Sequence, residues 1–164
     1  MIRRHRGRAP DAGVTLVELL LVVLILGLIG SMSALSAPAT ATHHLELVET
    51  QVRDAVDQAR ALARSQRLAH GVVFDTVAER FAVVDESGTP AVHPLTKGPY
   101  EVTFGGPGQL SGIDVASVDF GSAGTAALFD GQGDPLVGGT IVLRKQGAAI
   151  TLALDAATGE LQAQ

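Results

Sequence analysis

His44–Gly71, HLELVETQVRDAVDQARALARSQRLAHG, is where the chain changes its hydrophobic period, and that change decides the fold class. Leu45, Val48, Val52, Val56 (with Ala55), Ala59, Leu62 (with Ala63) and Ala69 recur at steps of three and four residues. Such a stripe is the signature of an amphipathic helix. Acids lead (Glu46, Glu49, Asp54, Asp57) and arginines trail (Arg60, Arg64, Arg67), as the helix dipole favours. Glu49 with Arg53 and Asp57 with Arg60 have the spacing of weak exposed ion pairs. The arginines read as a solvated face, and Gly71 reads as the helix stop.

Downstream the period falls to two. GVVFD and RFAVVD flank TVAE as a hairpin, and YEVTF is a further strand before the breaker-rich GGPGQLSG. VASVDFG and TAALFDG follow. GTIVLRKQ and AAITLALD meet at Gly147 in the strongest hairpin signal, and ATGELQ supplies a last turn and a short edge strand. Strands after one long helix predict an α+β domain in which the helical stripe covers one face of an antiparallel sheet. Aromatic residues are 4% of the chain and Trp is absent, so Phe74, Phe81, Phe104, Phe120 and Phe129 are the large pieces available to the core.

Upstream, no charged side chain occurs from Leu19 to Thr42. As a helix, 14–37 would rise roughly 36 Å, enough to cross a hydrocarbon core of about 30 Å. Ahead of it residues 1–13 hold Arg3, Arg4, Arg6 and Arg8 against Asp11, and the remainder keeps eight basic against sixteen acidic side chains. A basic head, an apolar run and an acidic remainder read as a membrane-directed chain with the head in the cytoplasm. One reading is a signal peptide cut near SALSAPATA; the other is a retained anchor cut before the apolar run. Glu18 favours the second, because a carboxylate at the centre of a membrane helix costs about 2.5–3.5 kcal/mol and asks for a partner. Cleavage after Gly13 would create an α-amino group on Val14, about 6 Å along a helix from Glu18. Gly27 and Gly30 either admit close helix neighbours or are merely tolerated, and Pro38 is expected to kink or interrupt the helix.

AGVTLVELLLVVLILGLIG, Ala12–Gly30, resembles the N-terminus of type IV pilins and type II secretion pseudopilins: a basic leader, Gly, Thr-Leu-x-Glu, then an apolar helix. Val14 departs from the phenylalanine typical there. ARALARSQRLAHGVVFD and the C-terminal hairpin with its TG turn resemble the GspH/FimT minor pseudopilins. The resemblance implies a prepilin peptidase that cuts between Gly13 and Val14, N-methylation of Val14, and Glu18 as the acid used in assembly. It also implies a pilin-like fold in four parts: leader 1–13, transmembrane and filament-core helix 14–37, amphipathic continuation 38–71 and periplasmic β-rich domain 72–164. The implied partners are the peptidase, other major and minor pseudopilins, the bacterial inner membrane and exported cargo. The implied role is a minor subunit of a short periplasmic filament that supports protein export. The rival readings are a single-pass anchored periplasmic binding domain and a secreted protein with an ordinary signal peptide.

Little in the chain suggests catalysis or a cofactor. There is no cysteine, hence no thiolate metal site or disulfide framework. The net charge of −5 gives no support for nucleic-acid binding. His43, His44, His70 and His93 lack ligand spacing and read as surface, cap or turn residues. FDGQGDP, with Asp130 and Asp134, lacks the bidentate Glu of a calcium loop and reads as turn chemistry. GGPGQLSG lacks the Lys-Ser/Thr of a phosphate loop, and ESGTP (86–90) reads as a surface turn. No base–nucleophile set stands out, so no enzymatic activity and no cofactor are expected.

Overall fold

The computed structural model describes residues 16–34, 37–104 and 110–164. The chain divides into two compact units, Met1–Ala37 and Pro38–Gln164. In the first, Leu16–Ala34 forms helix α1. From Leu16 to Gly27 every side chain but that of Glu18 is apolar, and the eight consecutive residues Leu19–Leu26 are all exposed, from Ile25 at 45% to Leu24 at 67%. A helix without a polar face needs an apolar environment, which the described residues of its own unit do not supply. Among the described residues no helix is long and apolar enough to cross a membrane. The 19 residues of α1 rise only about 28 Å, and the expected span 14–37 includes positions outside the described residues.

The second unit is α+β. Helix α2, Ala37–Gln66, carries Pro38 as its second residue, where a missing N–H has no intrahelical acceptor to lose. Eight strands follow: β1 His70–Asp75, β2 Arg80–Asp85, β3 Glu101–Thr103, β4 Asp114–Asp119, β5 Ala126–Phe129, β6 Gly139–Lys145, β7 Ala148–Leu154 and β8 Leu161–Ala163. They form two antiparallel sheets, ordered β3-β2-β1-β5 and β4-β6-β7-β8. The expected single sheet is thus two, and the strands from VASVDFG and TAALFDG, β4 and β5, belong to different ones. A 3-10 turn at Gly121–Ala123 separates them.

One core serves both sheets and the helix. From α2 it takes Leu45, Val48, Val52, Ala55, Val56, Ala59 and Ala63, the predicted stripe. Strand alternation supplies the rest: Val72 and Phe74 of β1 lie opposite Val83 and Phe81 of β2, and Ile141 of β6 lies opposite Leu152 of β7. All five phenylalanines are buried. Phe74 meets Phe81 at 5.8 Å and Phe120 at 6.3 Å between ring centroids, so the aromatic cluster joins the first sheet to the end of β4. Each such side chain contributes about 1.5–3 kcal/mol through burial.

The helix ends five residues before Gly71. Arg67 takes a left-handed backbone, φ 55°, and closes α2. Gly71 lies inside β1 instead, since a Cβ there would stand 2.6 Å from the Ala127 carbonyl oxygen of β5. Glycine at this position lets two strands approach; it does not cap the helix. The outer edges of three strands are partly closed by their surroundings, which limits unwanted strand pairing. Leu136 N donates to Leu128 O of β5 at 2.9 Å, Val115 N of β4 donates to Glu79 Oε2 at 2.6 Å, and Leu161 O of β8 accepts from Arg53.

Candidate functional site

Two features of the sequence pointed to function, and the structure treats them differently. Glu18 stands in the first turn of α1, exposed, where the helix dipole favours a negative charge. Gly13 and Val14, its expected cleavage and methylation neighbours, lie outside the described residues, as do the arginines of the leader.

The arginine row of α2 is only in part the solvated face expected: Arg64 and Arg67 are exposed, whereas Arg60 is half-buried. Arg60 donates from Nε to Gly133 O at 3.2 Å, from Nη1 to Gly159 O at 3.0 Å and from Nη2 to Thr158 O at 3.1 Å. Its guanidinium also lies 6.0 Å from the Phe129 ring centroid. Arg64 Nε donates to Gln132 O at 3.1 Å. Arg53 bridges Glu49, at 2.8 Å, and Leu161 O. The Glu49–Arg53 pair therefore forms as its spacing predicts, whereas Arg60 turns from Asp57 to three carbonyls. The reason is geometric. Arg53, Arg60 and Arg64 each follow a buried stripe residue (Val52, Ala59, Ala63) and so share the flank of α2 that meets the loops after β5 and β7. A guanidinium holds several donors in one plane, which suits a cluster of loop carbonyls. Gly133, φ 81°, keeps that approach open, since a Cβ there would meet the Arg64 side chain.

The loops are held from within by aspartates at strand ends. Asp75 Oδ1 accepts from Ala78 N and Val77 N, Asp85 Oδ1 from Ser87 and Thr89, Asp130 Oδ1 from Gln132 N and Asp134 N, and Asp155 Oδ1 from Ala157 N and Thr158 N. These bonds, above all to Ala78 N, the Ser87 hydroxyl, Asp134 N and Thr158 N respectively, hold the four carboxyls below their ordinary value of 3.8. Asp130 and Asp134 thus sit in a turn of the predicted kind. Among the described residues no group of His, Cys, Asp and Glu has the arrangement of a metal site.

The histidines divide. His93 is the turn residue expected: its Nδ1 accepts from Leu95 N at 3.1 Å and Thr96 N at 3.3 Å. His43 lies exposed, 3.5 Å from Glu46. His70, by contrast, is buried at the start of β1, its Nδ1 3.1 Å from Leu68 O. Position 70 opens a strand whose alternation points it inward, which a reading that extended the helix to Gly71 missed.

A groove of about 470 Å³ opens between α2 and the segment after β2. Asp54 and Asp57 line one wall and His93, Leu95 and Tyr100 the other. Burial pushes the Tyr100 hydroxyl up, and the charge of Asp54 adds to the shift. The sequence reading passed over this site, because HPLTKGPY carries no period; the Pro-Leu between two ring residues was its only signal.

No protein-family model matches the chain. No curated protein matches it either. Among solved structures it is similar to the type IV minor pilin FimU of Pseudomonas aeruginosa, with a TM-score of 0.50 and 18% sequence identity over 75% of this chain and 90% of that one. That likeness concerns the fold: a pilin-like α+β arrangement of an N-terminal helix packed on antiparallel β-structure.

Proposed function

We propose that the chain is a minor pilin-like subunit of a type II secretion or type IV pilus-like filament, processed at its N-terminus and assembled through α1. The observation that carries this reading is α1 itself, exposed and apolar from Leu16 to Leu26 except for Glu18 in its first turn, in a chain of pilin-like fold. Before assembly the bacterial inner membrane would shelter the apolar surface, with residues 14–37 as the span, the arginine-rich head in the cytoplasm and the β-rich unit in the periplasm. A prepilin peptidase cutting after Gly13 would release the head and expose the Val14 amine for N-methylation. In the filament, α1 helices of neighbouring pseudopilins replace lipid, and the Glu18 carboxylate of one subunit meets the Val14 amine of another. Desolvation strengthens such a pair and penalises its absence, so the pair sets register between helices whose apolar surfaces alone would slide. The β-rich unit is then left to meet other subunits or exported cargo. In this reading the protein works mechanically, as a substrate of a processing enzyme and not as an enzyme.

Mass spectrometry of the chain purified from its native membrane tests the reading. A mature N-terminus at Val14, methylated or not, is expected. A chain that keeps its arginine-rich head, or that starts near residue 38 or beyond as a signal-peptidase product would, refutes it. Glu18→Ala separates a filament subunit from an anchored binding domain: the first loses assembly, the second keeps its localisation and function.

A further inference from the structure

We infer that the outer face of the sheet β3-β2-β1-β5 docks a protein other than this chain, through a surface apolar at its centre and basic at its edge. The inference uses no residue of α1, so it and the filament reading can fail separately.

An antiparallel sheet with one solvated face alternates apolar side chains inward and polar ones outward. The first sheet does not. Its inward residues, among them Val72, Phe74, Phe81 and Val83, are in the core. The residues that alternate with them are apolar as well. Gly71 pairs with Val84 on one side and Leu128 on the other. Pro90 bridges to Val84, and Leu136 N donates to Leu128 O. Pro90, Val84, Gly71, Leu128 and Leu136 thus form one row across the sheet, about 19 Å wide at about 4.8 Å per strand. Val73, between Ala82 and Ala126, forms a second row. Solvent reaches both rows: Leu136 is 56% exposed, and Val73, Ala82, Ala126 and Leu128 are half-buried. The middle of the first row is level, because Leu128 Cδ2 lies 2.6 Å from where a Cβ of residue 71 would stand. HGVVFD and RFAVVD therefore read as strands covered on both faces. A contiguous apolar patch on a folded surface marks a contact site.

Charge chooses the occupant. Beyond one end of the rows, Glu86 follows β2 and Asp134 lies beside Asp130. Both are exposed, and neither is in an ion pair among the described residues. At the other end Arg80 is shared between Asp75 and Glu101, which leaves that end negative too. Arg64 and Arg67 line a separate hollow with Asp130 and Gln132. From residue 38 onward the chain carries fifteen acidic side chains against eight basic. Such a rim repels a second copy or an anionic lipid surface and attracts a protein surface edged by Lys or Arg.

Size agrees with this choice. Two rows of this width cover on the order of 250 Å², whereas a stable pair takes about 800 Å² per partner. The face is one contact among several that hold the partner, as fits a minor subunit with unlike neighbours.

Leu136→Cys places a thiol on this face and Ala149→Cys one on β7 of the second sheet, both exposed positions in a chain without cysteine. Each variant of the full chain is labelled with a maleimide, in intact native cells and after purification in detergent micelles. Relative to position 149, position 136 is expected to label at least fivefold more slowly in cells than in micelles. Glu86→Lys with Asp134→Lys, both at exposed sites, should abolish that protection, and far-UV circular dichroism checks that the fold is kept. Equal relative rates in cells and micelles overturn the inference, as does protection indifferent to the two Lys changes. Protection that grows with the concentration of the purified chain, or that phosphatidylglycerol vesicles alone confer, overturns it in favour of a second copy or of lipid. The mature N-terminus from the same cells is read by mass spectrometry. A start at Val14 without protection refutes the contact alone; protection on a chain that keeps its arginine-rich head refutes the filament reading alone.

Discussion

Arg60→Ala separates a structural clamp from a solvated charge. The change removes three N–H···O bonds of 3.0–3.2 Å and leaves the carbonyls of two buried glycines, Gly133 and Gly159, short of a donor. A hydrogen bond to a charged group contributes about 1.5–3 kcal/mol net. The three share one guanidinium and the bond to Thr158 O is exposed, so water recovers part of the sum and about 3 kcal/mol is the expected loss. At about 2–4 °C per kcal/mol for a chain of this size, the melting temperature should fall by about 6–12 °C. Thermal denaturation followed by far-UV circular dichroism reads it, with Arg60→Lys as companion. Lysine keeps the charge but not the planar donor set, so it should recover less than half the loss. An ordinary exposed side chain would cost within about 0.5 kcal/mol. A loss that small for Arg60→Ala, or full recovery with lysine, would refute the clamp.

Gly71→Ala should destabilise the second unit by about 1–3 kcal/mol, the usual cost of forcing extra volume into a packed site, because the added methyl meets the Ala127 carbonyl and the Leu128 side chain. Urea unfolding measures it; a neutral result would mean that β1 and β5 are not so closely paired. Asp75, Asp85, Asp130 and Asp155 are held below 3.8 in the folded state, so the unfolded chain takes up protons first as pH falls. Their contribution is complete above pH 3.8 and is lost as pH drops through the lower folded values. Melting temperature against pH should therefore decline below about pH 4, and Asp→Asn variants at these positions should flatten the decline.

Local pattern by itself determined much of this protein. The stripe from Leu45 to Ala63 set the helix and its buried face, because a period of 3.6 has one geometric solution. The turn signals at 76–79 and 146–147 set two hairpins, and the run from Leu19 to Ile29 set an apolar helix. The pairing of Glu49 with Arg53 was legible too, since both ends sit on one helix. What depended on distant segments was not. Gly71 looks like a helix stop until β5 lies against it, and His70 looks exposed until β1 turns it inward. The strands could be counted but not sorted into two sheets, since sorting depends on which edges the loops can reach. Arg60 and its acceptors are about 70 to 100 residues apart, and backbone carbonyls leave no mark in a sequence. The groove at Tyr100 has the same character: its carboxylates come from a helix and its rings from a loop, and only packing the helix on the sheets brings them together.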